Sequence, residues 1–147
     1  MNWYKKADHD YNPNWDYTPT VISNQEINQI TQNIKKEISS SLLPVLDIPN
    51  IEIHFVKDIN ELGKYINGTS SRPVIVLNIK NINKARKQYD IELETAIETT
   101  ILHELGHAIQ EILGLPQEEE QAEQLAYQWH YNKQIPDWIS KLVNKET

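Results

Sequence analysis

The sequence predicts an α+β domain. Three observations carry this: an apolar period of three to four residues near the start, two short β-type runs in the middle, and a long helical pattern after residue 90. The last of these contains the string His103-Glu104-Leu105-Gly106-His107. At 147 residues one domain is expected. A chain of that size can bury roughly two-thirds of its unfolded surface, enough for a core without covalent staples.

Residues 1–20 are rich in Asn, Asp, Pro, Tyr and Trp without any period and read as an irregular arm, followed by a single domain over 21–147. Trp3, Tyr11, Trp15 and Tyr17 are unusual for a disordered segment, so the arm is a candidate to pack back on the domain or dock a partner. Ser23-Asn24-Gln25-Glu26 is a capping box that opens a helix through Ile27, Ile30, Ile34, Ile38 and Leu42, ending before Pro44. Residues 50–57 alternate, with Ile51, Ile53 and Phe55 on one side, and predict a strand. Asp58 to Glu61 is a second capping box, predicting a short helix that stops near Gly63 or Gly68. Val74-Ile75-Val76-Leu77 with Ile79 predicts a strand covered on both faces. A long helix is expected from about Asp90 to Leu113, with Gly114 as its cap and Pro116 as a stop. A further helix spans Gln117 to Asn132, its glutamates Glu118-Glu119-Glu120 at the N-terminus, where negative charge is favoured. Pro136 starts a short terminal helix with Trp138, Ile139 and Leu142.

Composition narrows the function. There is no Cys, so disulfides and thiolate metal sites are excluded and any metal must be held by His and carboxylate. The absence also fits a reducing cytosol. A formal net charge of -7 argues against a nucleic-acid or anionic-membrane surface. No apolar run approaches the roughly 20 residues of a membrane span, and Met1 to Asp10 lacks an apolar signal-peptide core. A cytoplasmic protein is the expectation.

The HExxH string carries the chemistry. Two imidazoles four residues apart on a helix lie about 40° apart and point the same way. His103 and His107 can therefore share one Zn²⁺, and Glu104 can reach water held on that ion. Such a set implies a metal-dependent hydrolase, and a peptidase first of all. The string is short enough to arise by chance, so its context matters. On the helical wheel Ile97, Ile101, Leu105, Ala108 and Ile112 cluster away from the two imidazoles, which are flanked by Ala96, Thr99, Thr100, Gly106 and Gly114. A Gly in mid-helix costs about 1 kcal/mol relative to Ala. Room for a neighbouring element beside the His pair would offset that cost. Gly114-Leu115-Pro116 permits a reversal into the next helix, on which Glu119, Glu123, Ala126 and His130 fall on one face. Glu120, Gln121, Gln124 and Gln128 fall on the other side and are expected to be solvated.

At this point the chain resembles the Glu-zincin metallopeptidases, and among them the small ImmA/IrrE-type members. The resemblance covers about Glu92 to Tyr131 and rests on His103-Glu104-xx-His107 followed by Glu119-xx-Ala122-Glu123-x-Leu125-Ala126. It implies a minimal zincin-like domain with an N-terminal helix, a small, mostly antiparallel sheet, the HExxH helix and a Glu-bearing helix after it. It implies Zn²⁺ on His103, His107 and Glu119, with Glu123 supporting the site by bonding a ligand His. Glu123 stands where the pattern has Asn or Asp, and in a symmetric hairpin turning near Leu115 it would face His107 more squarely than Glu119. The two Glu roles are therefore exchangeable at this stage. The chain does not match the metzincins, whose Gly and third His would stand at Gln110 and Leu113.

The resemblance further implies hydrolysis of a peptide bond in a specific intracellular protein, with Glu104 as general base and proton donor to the leaving amine. Candidate donors to the oxyanion are Tyr127, His130, His54 and Tyr65, with His130 first because it shares a face with Glu119. His9 lies in the arm and is expected to be solvated. By analogy, substrate lies along the strand at Pro73–Ile79. The rival readings are a catalytically silent zincin-fold binding or structural module, such as one of a phage or mobile element, and an effector that cleaves one host protein. A helical interaction domain with an accidental HExxH is a fourth. Oligomeric state and substrate identity are not written in the sequence.

Overall fold

The computed structural model describes residues 24–69 and 72–143, with the side chains of 67–69 and 141–143 excepted. The arm at 1–20, with His9, and the capping Ser23 lie outside the described residues. The remainder is α+β: five helices and a three-stranded mixed sheet.

Helix α1 (Asn24–Ser41) buries Thr31, Ile34 and Ile38, the inner side of the predicted apolar stripe. It ends ahead of Pro44, as the residue's missing N–H requires. The chain then supplies β1 (Glu52–Phe55), β2 (Gly63–Thr69) and β3 (Arg72–Leu77). Their order is β1-β3-β2, with β1 parallel and β2 antiparallel to β3. The sheet is thus mixed rather than mostly antiparallel. The apolar β3 is central, with Ile75, Val76 and Leu77 buried, as expected for a strand covered on both faces.

No helix forms over 58–68. The local capping signature at Asp58 gives way to two long-range demands. The open side of β3 takes up Lys64 to Ile66 as a strand, with Tyr65 opposite Ile75. The side-chain amides of Asn78 and Asn81 hold the carbonyls of Ile59, Asn60 and Glu61, which a helix would have used internally. A helix not foreseen in the sequence, α2 (Ile79–Gln88), follows β3 directly. Asn78 caps it by accepting from the Asn81 N–H at 3.1 Å.

Helix α3 (Leu93–Ile112) runs through the centre, with every residue from 96 to 110 buried. Ile97, Ile101, Leu105 and Ala108 form its core stripe, whereas Ile112, at the last turn, is 40% exposed. The helix ends in a Schellman arrangement: Gly114 has φ +70°, its N–H donates to Glu111 O at 3.1 Å, and the Leu115 N–H donates to Gln110 O at 2.8 Å. Helix α4 (Glu119–Asn132) packs along α3, and α5 (Asp137–Val143) closes the fold, with Ile139 buried and Trp138 Nε1 donating to Gln121 O at 3.2 Å. Among the described residues no helix is long and apolar enough to cross a membrane.

Candidate metal centre

The site forms where α3, the start of α4 and β2 meet. Gly106 sets the first spacing. A Cβ built there would lie 2.7 Å from Ala122 Cα and 3.0 Å from Ala122 Cβ, so the helices touch backbone to backbone at that point. The expected room beside the His pair is therefore occupied by α4. Intrinsic propensity favours Ala over Gly in a helix by about 1 kcal/mol. Here the clash with rigid backbone reverses the sign: Gly106→Ala should lose on the order of 1–2 kcal/mol, read as a lower Tm, because overpacking a tight contact costs about 1–3 kcal/mol. A raised Tm would contradict this packing. Gly63 sets the second spacing, since a Cβ there would meet Thr100 Cγ2 at 2.7 Å. It seats the start of β2 on α3 and brings the backbone of Tyr65 to Glu104, whose Oε1 accepts from the Tyr65 N–H at 2.9 Å.

Glu119 is brought to both imidazoles. His103 Nε2 lies 2.7 Å from Glu119 Oε2, and His107 Nε2 lies 3.2 Å from Glu119 Oε1. The ligand atoms of all three residues fall within 4.8 Å of one another. Tetrahedral zinc with bonds near 2.0–2.2 Å needs donor separations of about 3.3–3.6 Å, and the two His–Glu119 contacts, at 2.7 and 3.2 Å, lie close to that spacing. The donors are two nitrogens and a carboxylate, a set suited to zinc.

The reach of Glu119 follows from the link between the helices. His107 stands five residues before the end of α3, about 7.5 Å along the axis. Leu115 to Glu118 have no regular structure and run back beside that last stretch. Gln110 Nε2 donates to Glu118 O at 2.8 Å, and Gln117 Nε2 donates to His107 O at 3.2 Å. Helix α4 therefore begins already level with His107, and its first residue is the carboxylate at the site. A symmetric hairpin about Leu115 is not what forms. Glu123, one turn further on, is buried.

The electrostatics follow the contacts. The bonds to His103 and then His107 hold the Glu119 carboxyl well below the usual carboxylate range, against a smaller opposing effect of burial. Burial on its own would depress His107, but its contact with Glu119, the charge of Glu104 and the bond to Gln110 together raise it above its ordinary 6.5. The cluster opens on a cleft of about 330 Å³ whose lining includes Glu61, Lys64, Tyr65 and Gln117 with the four HExxH-site residues His103, Glu104, His107 and Glu119.

Of the four candidate oxyanion donors the structure brings Tyr65 to the cleft and none of the others. His130 shares the helical face of Glu119, but eleven residues separate them, about 16 Å along α4. Angular position on the wheel was the wrong criterion without the axial one. His130 Nδ1 instead lies 3.3 Å from Glu98 Oε1. Tyr127 stacks on Tyr131 with ring centroids 4.8 Å apart, and His54 sits on β1 beside Glu52 at 3.4 Å, at the other edge of the sheet. The strand at Pro73–Ile79 is also not an edge. β3 is central, residues 78 and 79 of the predicted run leave it to cap and open α2, and among the described residues the outer strand beside the cleft is β2.

The Glu98 cluster has its own consequence. Glu98 is buried and pairs with His130 and, at 3.5 Å, with Lys133 Nζ, which also reaches Glu37 at 2.8 Å. Burial would raise the Glu98 carboxyl, but the contact with His130 and the charge of Lys133 outweigh it and hold the group below its ordinary 4.5. A folded value below the unfolded one adds stability at pH above 4.5, and that stability disappears as pH falls through the folded value. Glu98→Gln should therefore cost about 1–3 kcal/mol at pH 7 and narrow its deficit against wild type in thermal melts as pH falls below the ordinary 4.5. A deficit independent of pH would show that the carboxylate charge contributes nothing.

Two polar neighbours of the cluster, Gln110 and Gln117, were missed by sequence reasoning. Gln110 was visible in principle: it falls three residues after His107 on the same face as the His pair. Comparison with protein-family models, with curated proteins and with solved structures finds no match.

Proposed function

We propose that this chain is a zinc metalloendopeptidase of minimal Glu-zincin type, similar to ImmA/IrrE-type members, that hydrolyses a peptide bond in a specific intracellular protein. One observation carries the reading: the ligand atoms of His103, His107 and Glu119 converge, with Glu104 next to them, at an open cleft. Glu104 is outside the converging set, which suits a base rather than a ligand.

A zinc ion on the three ligands would acidify water and polarise the scissile carbonyl. The protein's own groups do the rest. Glu104, oriented by the Tyr65 N–H, takes a proton from the attacking water and delivers it to the leaving amine nitrogen. Gln110 and Gln117 hold the His107 ring and its backbone. Because the Tyr65 N–H turns away from β3 toward Glu104, the outer side of β2 faces the site. An extended peptide would add along that edge, placing its carbonyls near the reacting groups. Tyr65 is the candidate to assist the oxyanion from this strand.

The experiment is cleavage of a random peptide library by purified protein with one equivalent of Zn²⁺, after chelation, and by Glu104→Gln. Cleavage that requires both zinc and Glu104 supports the reading. Equal library profiles from all three samples, with metal analysis showing zinc on the wild type before chelation, would leave a binding module in its place.

A further inference from the structure

We propose that Gln110 is the positioning residue of the metal centre: it fixes the proton of His107 on Nδ1, so that Nε2 faces the ion, and it anchors the turn that presents Glu119. The proposal rests on the reading of His103, His107 and Glu119 as a metal centre.

The argument starts from the inventory of an amide. Gln has one acceptor oxygen and one NH₂ donor, and neither can exchange roles. The two ends of an amide are normally assigned rather than seen. Here the surroundings decide. One end of the Gln110 amide lies 2.8 Å from the carbonyl oxygen of Glu118, which can only accept, so that end is the NH₂. Its second proton reaches Gln121 Oε1 at 3.0 Å. The end facing His107 Nδ1 at 2.9 Å is then the carbonyl oxygen, which can only accept. Nδ1 must donate, and a neutral ring with its proton there keeps the lone pair on Nε2. That is the nitrogen that lies 3.2 Å from Glu119 Oε1, inside the converging set.

The same amide ties down the third ligand. Glu118 directly precedes Glu119, and its carbonyl is held to α3 one turn after His107. Gln110 is 0% exposed, so an apolar side chain there would leave the Glu118 carbonyl without its donor in a place where such a loss is costly. A residue serving only to fill the core would need no amide. One side chain thus sets the ring of one ligand and the backbone beside another, the task that outer partners perform in metal sites.

The test compares wild type, Gln110→Met and Gln110→Glu. Met keeps length and removes both hydrogen-bonding functions; Glu keeps the acceptor toward Nδ1 and removes the donor toward Glu118. Zinc affinity is measured by competition with a chelator, and the His107 ring proton is followed by ¹⁵N NMR of the zinc-loaded protein. Gln110→Met should weaken zinc by about 10–100-fold and turn a slowly exchanging Nδ1 proton into a rapidly exchanging one. Gln110→Glu should keep the slow proton. Zinc affinity within about twofold of wild type in Gln110→Met, or rapid exchange of that proton in wild type itself, overturns the proposal. If Gln110→Met does not fold, the wild-type proton and Gln110→Glu decide. Failure of wild type to bind zinc would instead remove the metal-centre reading, a different result from zinc that binds regardless of residue 110.

Discussion

Glu104→Gln is expected to bind zinc as tightly as wild type and to lose peptide hydrolysis by about 10²–10⁴-fold, the range of a positioned general acid–base. The expectation rests on where Glu104 stands. Its carboxylate is not among the converging ligand atoms, so removing its charge leaves the donor set intact. It is buried, and its Oε1 accepts from the Tyr65 N–H. Gln keeps an oxygen in the same place and so keeps β2 on α3, but it cannot take up a proton from water. Paired measurements on one preparation, zinc by metal analysis and cleavage by mass spectrometry, separate the two effects. Loss of zinc in the variant would mean that Glu104 is a ligand. Undiminished cleavage would mean that the proton goes elsewhere.

The centre of this molecule was legible in the sequence because its signals are local. The His pair, the small residue at Gly106 and the Gly114 turn all lie within twelve residues of one helix, where a fixed rise and rotation convert spacing into position. The apolar stripe of α1 and the buried run of β3 were legible for the same reason. What was not legible depends on partners distant in the chain. The strand at Gly63–Thr69 exists because β3 offers an open side, and a local capping pattern at Asp58 has no means of sensing that. Helix α2 was hidden because Ile79 reads as the continuation of an apolar β run, while its capping Asn78 looks like one polar residue among many. His130 failed for a different reason: a wheel projects a helix along its axis and discards the distance that kept it from the site. The order of the sheet, which gives the cleft its edge from β2 rather than β3, is a property of pairing and has no one-dimensional trace.

The choice between Glu119 and Glu123, open in the sequence, falls to Glu119 in the folded geometry, and it sets the second large effect. Glu119→Ala should weaken zinc by about 10²–10³-fold: a structural zinc site yields about 10–16 kcal/mol over four ligands, so each ligand accounts for roughly 2.5–4 kcal/mol. Glu123→Ala should weaken it only about 10–100-fold, as an outer partner does. The ranking follows from the folded-back link, since pinning Glu118 to Gln110 starts α4 level with His107 and leaves Glu123 one turn too far along. Glu119 is also the carboxylate whose acidity the two imidazoles already increase, so it stays ionised and ready to ligate across the neutral range. Glu119 is 56% exposed at the cleft, and its truncation should spare the fold, so that thermal melts of zinc-free Glu119→Ala stay near wild type. Glu123 is buried, and its truncation should lower the zinc-free melt as well. Chelator competition on both variants reads the ranking directly. A larger loss from Glu123→Ala, with zinc-free stability equal in the two, would mean that α4 slides by about one turn, roughly 5.4 Å, when the ion binds, and that Glu123 is the third ligand.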